Sequence, residues 1–163
     1  MKSLSLALVF AILSIAARPA SSGERITIGG VEEVVIVSLG ISLPARVDTG
    51  SGMSSLGVRD FSVQGKMVEF SLPAKFGDLK LRLPLLGWRR IKTTEGPGKR
   101  RPVVEMELRL GSGSLYTQVT LNNRSRMRYP LLIGRNTLGK GSFIVDVSRS
   151  YTLLPELRQE ELP

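Results

Sequence analysis

Leu43-Pro44-Ala45-Arg46-Val47-Asp48-Thr49-Gly50 is a mostly apolar run that delivers one carboxylate to the point where the chain has to turn. A glycine at position 50 permits a tight bend and a close approach of backbone to carboxylate. Its amide is then free to donate toward Asp48, while the Thr49 hydroxyl can brace the loop. Two such carboxylates brought together cannot both ionise. They share one proton, and the pair offers an acid and a base at once, so that water can be activated without metal or histidine. The tripeptide alone is weak evidence, because chance supplies it in roughly one chain in fifty of this length and an ordinary Asx turn would look the same.

A second element raises its weight. Downstream lies Tyr129-Pro130-Leu131-Leu132-Ile133-Gly134-Arg135-Asn136, an apolar run closed by Gly-Arg-Asn. A short helix is expected after Gly134, with Asn136 or Thr137 near its start. Composition closes the competing chemistries. The 163 residues contain no cysteine and no histidine, which removes the usual zinc ligands, the neutral-pH general base, and the Cys-His and Ser-His-Asp schemes. No metal site and no cofactor is therefore expected, and no Gly-x-x-x-x-Gly-Lys phosphate cradle occurs.

Working outward from these two stretches, the chain reads as short extended segments punctuated by glycine, proline and asparagine, an all-β pattern. Strands are expected near 25–28, 32–38, 43–48, 63–72, 79–86, 89–93, 103–110, 115–121 and 143–147. In the segment 103–110, Val104, Met106, Leu108 and Leu110 share one face and Glu105, Glu107 and Arg109 the other, as in a half-buried strand. Gly29-Gly30, Gly111-Ser112-Gly113 and Asn122-Asn123 each sit between two such runs and predict hairpin turns. The loose stretch 93–100, rich in Gly, Pro and charge, predicts a hairpin tip. A flap over the substrate is expected from Arg89 to Val103, with 65–83 as the alternative.

The N-terminus predicts a signal peptide over residues 1–22, leaving a single domain over 23–163. Lys2 precedes a nearly unbroken apolar run from Leu4 to Ala17, too short for the roughly 20 residues a spanning helix needs. A periplasmic or secreted location follows, with membrane association only through an uncleaved N-terminal segment. The net charge is +9, and residues 1–22 hold two of the bases and no acid. The mature domain stays strongly basic, which favours acidic peptides, anionic lipid headgroups or nucleic acid. The bases are dispersed, aromatic residues make up 6%, and no stacking platform interleaves with the basic runs 99–101 and 124–128. Solvated loop charge is the simpler account of these runs, and no nucleic-acid partner is expected.

Taken together, these motifs resemble the retropepsin-like aspartic protease superfamily, and most closely a bacterial family labelled ATP-dependent zinc proteases. The resemblance is carried by Ile28-Gly29-Gly30, Leu39-Gly40-Ile41, Arg46 to Gly50, Thr120 to Arg124 with Met127, Tyr129 to Arg135, Val145-Asp146 and Ser150-Tyr151. It implies a closed β-barrel with one short helix, one lobe per chain. Catalytic residues Asp48, Thr49 and Gly50 are implied, with Ser51, Ser54 and Arg124 toward the substrate and Arg135 supporting the loop or a dimer interface. Asp60, Asp78 and Asp146 lack the motif, and Asp146 reads as a strand-end polar residue. The half-site therefore needs a homodimer. The chain departs from the family after the motif, where Gly52, Met53 and Gly57 replace polar or charged residues. The expected function is an extracytoplasmic aspartic endopeptidase. The alternative is a catalytically altered domain that binds extended peptides by strand addition without cleaving them.

Overall fold

A computed structural model describes residues 25–153 apart from 94, 95 and 125. The expected signal peptide lies outside the described residues. Twelve strands are formed: β1 Ile26–Gly29, β2 Val31–Ile36, β3 Ile41–Val47, β4 Ser54–Gly57, β5 Asp60–Gln64, β6 Met67–Ser71, β7 Lys80–Pro84, β8 Gly87–Thr93, β9 Gly96–Leu110, β10 Gly113–Asn122, β11 Leu131–Ile133 and β12 Phe143–Asp146. The one α-helix among the described residues, α1, spans Arg135–Leu138 directly after Gly134. The fold is all-β, as the alternation implied.

Six strands close a barrel in the order β10-β4-β11-β3-β2-β9, with β9 pairing back onto β10 from Leu110↔Gly113 to Val103↔Thr120. The outward alternation of β9 explains its place, since Val104, Met106, Leu108 and Leu110 are buried in the common core with Ile36, Leu43, Ala45, Leu121 and Ile133. Strand β9 is long because it serves two partners. It lies in the barrel over 103–110 and continues beyond it as a hairpin with β8, from Gly87↔Val103 to Thr93↔Gly96. A separate meander, β5-β6-β7, and a parallel pair, β1-β12, complete the domain.

The structure corrects several local expectations. The segment 63–72 is not one strand: Gly65 takes φ +59 and turns the chain between β5 and β6. Of the three turn signals, only Gly111-Ser112-Gly113 joins directly paired strands. Asn122-Asn123 leads into a loop, because β4 lies between β10 and β11. Gly29-Gly30 passes the chain from the β1-β12 pair into the barrel. A Cβ at Gly29 would stand 2.6 Å from the Arg149 carbonyl oxygen, so this glycine is required by close approach of the C-terminal segment.

That segment is clamped by Glu32, which is fully buried. Its Oε1 accepts from the Gly29 amide at 2.5 Å, from the Thr152 amide at 3.1 Å and from the Thr152 hydroxyl, and its Oε2 accepts from the Leu153 amide at 3.0 Å. A buried carboxylate is tolerated when its oxygens are filled in this way.

The second organising contact lies under the Asp48 loop. Strand β11 runs between the two arms of that loop, parallel to β3 and antiparallel to β4. At its end a Cβ on Gly134 would fall 2.5 Å from the Met53 carbonyl carbon, so only glycine fits. Ser54, which opens β4, is completely buried. Its hydroxyl accepts from the Gly134 amide at 3.0 Å and bonds the Thr137 hydroxyl at 2.6 Å, and its own amide donates to Asn136 Oδ1 at 2.8 Å.

Two stability outcomes follow from these buried contacts. Replacing Glu32 with alanine removes the acceptor of three amides and a hydroxyl and should cost roughly 2–3 kcal/mol. Ser54→Ala should cost roughly 1–3 kcal/mol for the unpaired Gly134 amide. Gly52→Ala, whose Cβ would sit at an ordinary 3.7 Å from Arg135, should change stability by less than about 0.5 kcal/mol. Chemical denaturation of the three variants checks the ranking, and a Ser54→Ala protein as stable as wild type would refute the assigned network.

Candidate active site

Strand β3 ends at Val47 and presents Asp48 at the start of the turn. The Asp48 amide donates to the Ile133 carbonyl at 2.9 Å, fixing the residue to β11. Its carboxylate is half-buried, and Oδ1 accepts from the amides of Gly50 at 3.0 Å and Ser51 at 3.1 Å. Both bonds hold one oxygen of the carboxylate, and neither uses Oδ2. A Cβ at Gly50 would lie 3.2 Å from Oδ1, tighter than side chains normally pack, so glycine is what allows the amide to come this close. Thr49 and Gly50 are exposed.

Arg135, the first residue of α1, supports the loop from below. Its amide donates to the Ser51 carbonyl at 2.9 Å, and Nη1 donates to the carbonyls of Thr49 at 2.9 Å and Gly50 at 2.8 Å. With those carbonyls satisfied, the amides of the same turn face the carboxylate.

The residues read as substrate-facing divide into two groups. Ser51 and Arg124 line a cavity of about 430 Å³ together with Gly52, Met53, Ser55, Arg90, Ile91, Arg101, Thr120 and Leu132. The Ser51 hydroxyl donates to the Met53 carbonyl at 2.8 Å. Ser54 is different: it is fully buried and its hydroxyl is engaged inside the protein, so it positions the loop and is out of reach of a substrate. The β8-β9 hairpin, over the stretch expected to form a flap, supplies Arg90, Ile91 and Arg101 to the cavity wall, whereas the 65–83 region supplies nothing to it.

The electrostatics of this cavity are one-signed. Burial lowers the pKa of the Arg124 guanidinium, the positive charge of Arg101 lowers it further, and Asp48 opposes both. Burial also lowers that of Arg101. Two buried polar atoms here, Ser55 Oγ and Arg101 Nε, have no hydrogen-bond partner among the described residues. Nothing in the sequence marks Ser55, and Arg101 is marked only as part of the basic run and the expected flap, because only the barrel closure brings β4 and the hairpin root to one wall.

The same closure explains a departure from the family pattern. A Cβ at Gly57 would stand 3.0 Å from both Arg124 Cβ and the Pro130 carbonyl oxygen. Arg124, held by its Nε bond to the Tyr129 carbonyl at 3.2 Å, occupies the room that a side chain at position 57 would need.

The other aspartates have their own partners. Asp60 and Asp78 pair with Arg59, and Asp146 accepts from the Ser148 amide at 3.0 Å and its hydroxyl at 2.6 Å, which lowers its pKa. A zinc ion does not fit the donor set: the chain lacks His and Cys, and among the described residues no three acidic side chains converge.

Comparison with known proteins agrees with this geometry. A Shewanella pealeana protein named "Probable alpha-L-glutamate ligase" is 30% identical over 141 residues, covering 81% of this chain and 31% of the relative. A protein of the same name from Parasynechococcus marenigrum is 30% identical over 150 residues, covering 85% of this chain and 31% of that one. The chain thus spans about a third of the length of these curated relatives. The crystal structure of a Legionella pneumophila protein of unknown function matches with a TM-score of 0.71 and 28% identity, over 80% of this chain and all of that one. The model of the RimB-like family, described as retropepsin-like aspartic endopeptidase RimB, matches residues 27–156. With its barrel, its Asp48 loop and that match, the chain belongs to the RimB-like family of the retropepsin-like superfamily.

Proposed function

We propose that this protein is an aspartic endopeptidase whose site is completed by a second copy of the chain. The observation that carries the reading is the Asp48 carboxylate, held through Oδ1 by the Gly50 and Ser51 amides on a loop braced by Arg135. A single carboxylate cannot supply both acid and base, and the remaining aspartates are bound elsewhere. A two-fold axis beside exposed Thr49 and Gly50 supplies the second Asp48. A cavity of about 590 Å³ on this side, lined by Arg25, Thr49, Arg135 and Phe143 to Val145, is surface for the partner copy to cover.

In this dyad one carboxylate is ionised and the other protonated. The carboxylate takes a proton from water as its oxygen attacks the peptide carbonyl carbon, and the carboxylic acid gives its proton to the carbonyl oxygen. Collapse of the tetrahedral diol returns a proton to the departing amide nitrogen, breaks the C–N bond and restores the shared proton.

Acidic peptides are the substrate class that suits the cavity walled by Arg101 and Arg124. The relatives' name concerns glutamate ligation, and a glutamate-bearing peptide is the corresponding ligand for such a wall. We further propose export through a cleaved leader over residues 1–22, which places the enzyme in the periplasm or outside the cell.

Wild type and Asp48→Asn are to be compared on a peptide library spanning acidic and neutral sequences, from acid to neutral pH, with a chelator in parallel. Asp48→Asn should lose roughly 10²- to 10⁴-fold in turnover, the chelator should change nothing, and excess variant should suppress wild type by forming mixed dimers. Equal cleavage by both proteins sinks the mechanism. Binding without cleavage by either would select the non-catalytic alternative. For specificity, Arg124→Gln should raise KM for acidic peptides roughly tenfold or more while leaving neutral ones unchanged. A uniform loss across both classes would remove Arg124 from the substrate wall.

A further inference from the structure

Two hydrogen-bond donors on the wall of the Arg101-Arg124 cavity are left without an acceptor. Ser55 on β4 pairs with Thr120 of β10 and with Leu132 of β11, and all three line the cavity, so three adjacent strands of the barrel form one wall of it. Other donors on this lining are engaged within the protein. The Ser51 hydroxyl donates to the Met53 carbonyl at 2.8 Å, the Thr120 hydroxyl to the Ser54 carbonyl at 3.1 Å, and Arg124 Nε to the Tyr129 carbonyl at 3.2 Å. Ser55 Oγ and Arg101 Nε are buried and have no partner among the described residues, and Ser55 as a whole is 5% exposed.

A buried donor without an acceptor is costly, and native proteins keep few of them. That cost is recovered when a ligand supplies the acceptor. The lining contains arginines and no acidic residue, so an anionic oxygen suits it better than a neutral carbonyl. Nε and the neighbouring Nη of a guanidinium lie side by side in one plane and match the two oxygens of a carboxylate. A serine hydroxyl can complete the set by turning about its Cα–Cβ bond. Arg124 also feels the charge of Asp48, which places these donors near the reacting carboxylate.

We propose that Ser55 and Arg101 are specificity-determining residues which, with Arg124, clamp one acidic side chain of the peptide beside the scissile bond. A diffuse positive field would favour any acidic chain in any register, whereas a clamp selects one residue position. The clamp rests on the reading of this cavity as the substrate wall and is independent of the cleavage step.

Full-length protein is titrated calorimetrically with hexapeptides whose central peptide bond is reduced to CH2–NH, so that cleavage plays no part. One peptide has glutamates flanking that bond and an amidated C-terminus, a second has glutamines and an amide, and a third has glutamines and a free C-terminus. The glutamate peptide should bind roughly tenfold or more tightly than either glutamine peptide. Ser55→Ala should remove roughly tenfold of that preference, and the variant should melt at or above the wild-type temperature because the deleted hydroxyl has no partner in the protein. Arg101→Lys keeps the charge and loses the planar fork, and should weaken the glutamate peptide roughly tenfold while leaving the glutamine peptides unchanged. An Arg101→Lys protein that binds the glutamate peptide like wild type would overturn the proposal, since charge alone would suffice. So would a Ser55→Ala protein that melts lower with its binding unchanged, or a free C-terminus that binds as tightly as the glutamates. Discrimination here without turnover of ordinary peptides would support the clamp and remove the protease reading, and turnover without discrimination would do the reverse.

Discussion

The passage of β11 beneath the Asp48 loop is the constraint on which the rest depends. A backbone with no side chain at Gly134 lies against the Met53 carbonyl, and from this contact both arms of the loop are suspended. Ile133 receives the Asp48 amide on one side, and Ser54 accepts the Gly134 amide on the other. The next residue, Arg135, then reaches three carbonyls of the loop, those of Thr49, Gly50 and Ser51. Each bond is worth only about 1 kcal/mol net, yet together they define which atoms of the turn point at the carboxylate. A small error in the crossing would tilt the amides of Gly50 and Ser51 away from Oδ1, so the chemistry of Asp48 is set by packing 80 residues downstream.

This explains which parts were legible in the sequence. Period-two alternation in 103–110 reports a strand with one buried face, and that information is local. The Asp-Thr-Gly and Leu-Leu-Ile-Gly-Arg stretches are also local, because Gly134 leaves no room for a side chain and Gly50 lets its amide approach the Asp48 carboxylate closely. Strand β4 was invisible for the opposite reason. Ser54-Ser55-Leu56-Gly57 has no alternation and little strand propensity, and all four residues are buried between β10 and β11. Tertiary pairing makes it a strand. The hairpin at Gly65 was missed because β-branched and aromatic residues flank both sides of the turn, and one apolar run looks continuous when its break is a single glycine. Gly29 carried a true signal that pointed to the wrong partner: its freedom serves the Arg149 carbonyl across the molecule.

The wall of the cavity was legible only in part: Arg124 and the 89–103 hairpin carried a signal, whereas Ser55 and the meeting of Arg101 with Arg124 did not. Arg101, Arg124 and Ser55 come from the hairpin root, a loop and a strand that only barrel closure assembles. Burial lowers the affinity of both arginines for their protons, and the charge of Arg101 lowers that of Arg124 further. Asp48 offsets part of that shift at Arg124. The same positive field that opposes the protonation of Arg124 is the property on which the proposed preference for acidic peptides rests.

The replacement at position 57 gains its meaning from this wall. In sequence, Gly57 looked like the loss of a polar residue beside the catalytic motif. In three dimensions its missing side chain is matched by Arg124, whose Cβ lies where a side chain at 57 would press, with the Pro130 carbonyl closing the other side. The Gly57 amide meanwhile donates to that carbonyl at 2.6 Å, so strand β4 keeps its register without the side chain. None of the bonds to Asp48 passes through position 57. The glycine at position 57 therefore bears on the wall of the cavity and leaves the hydrogen bonds that hold the Asp48 carboxylate intact.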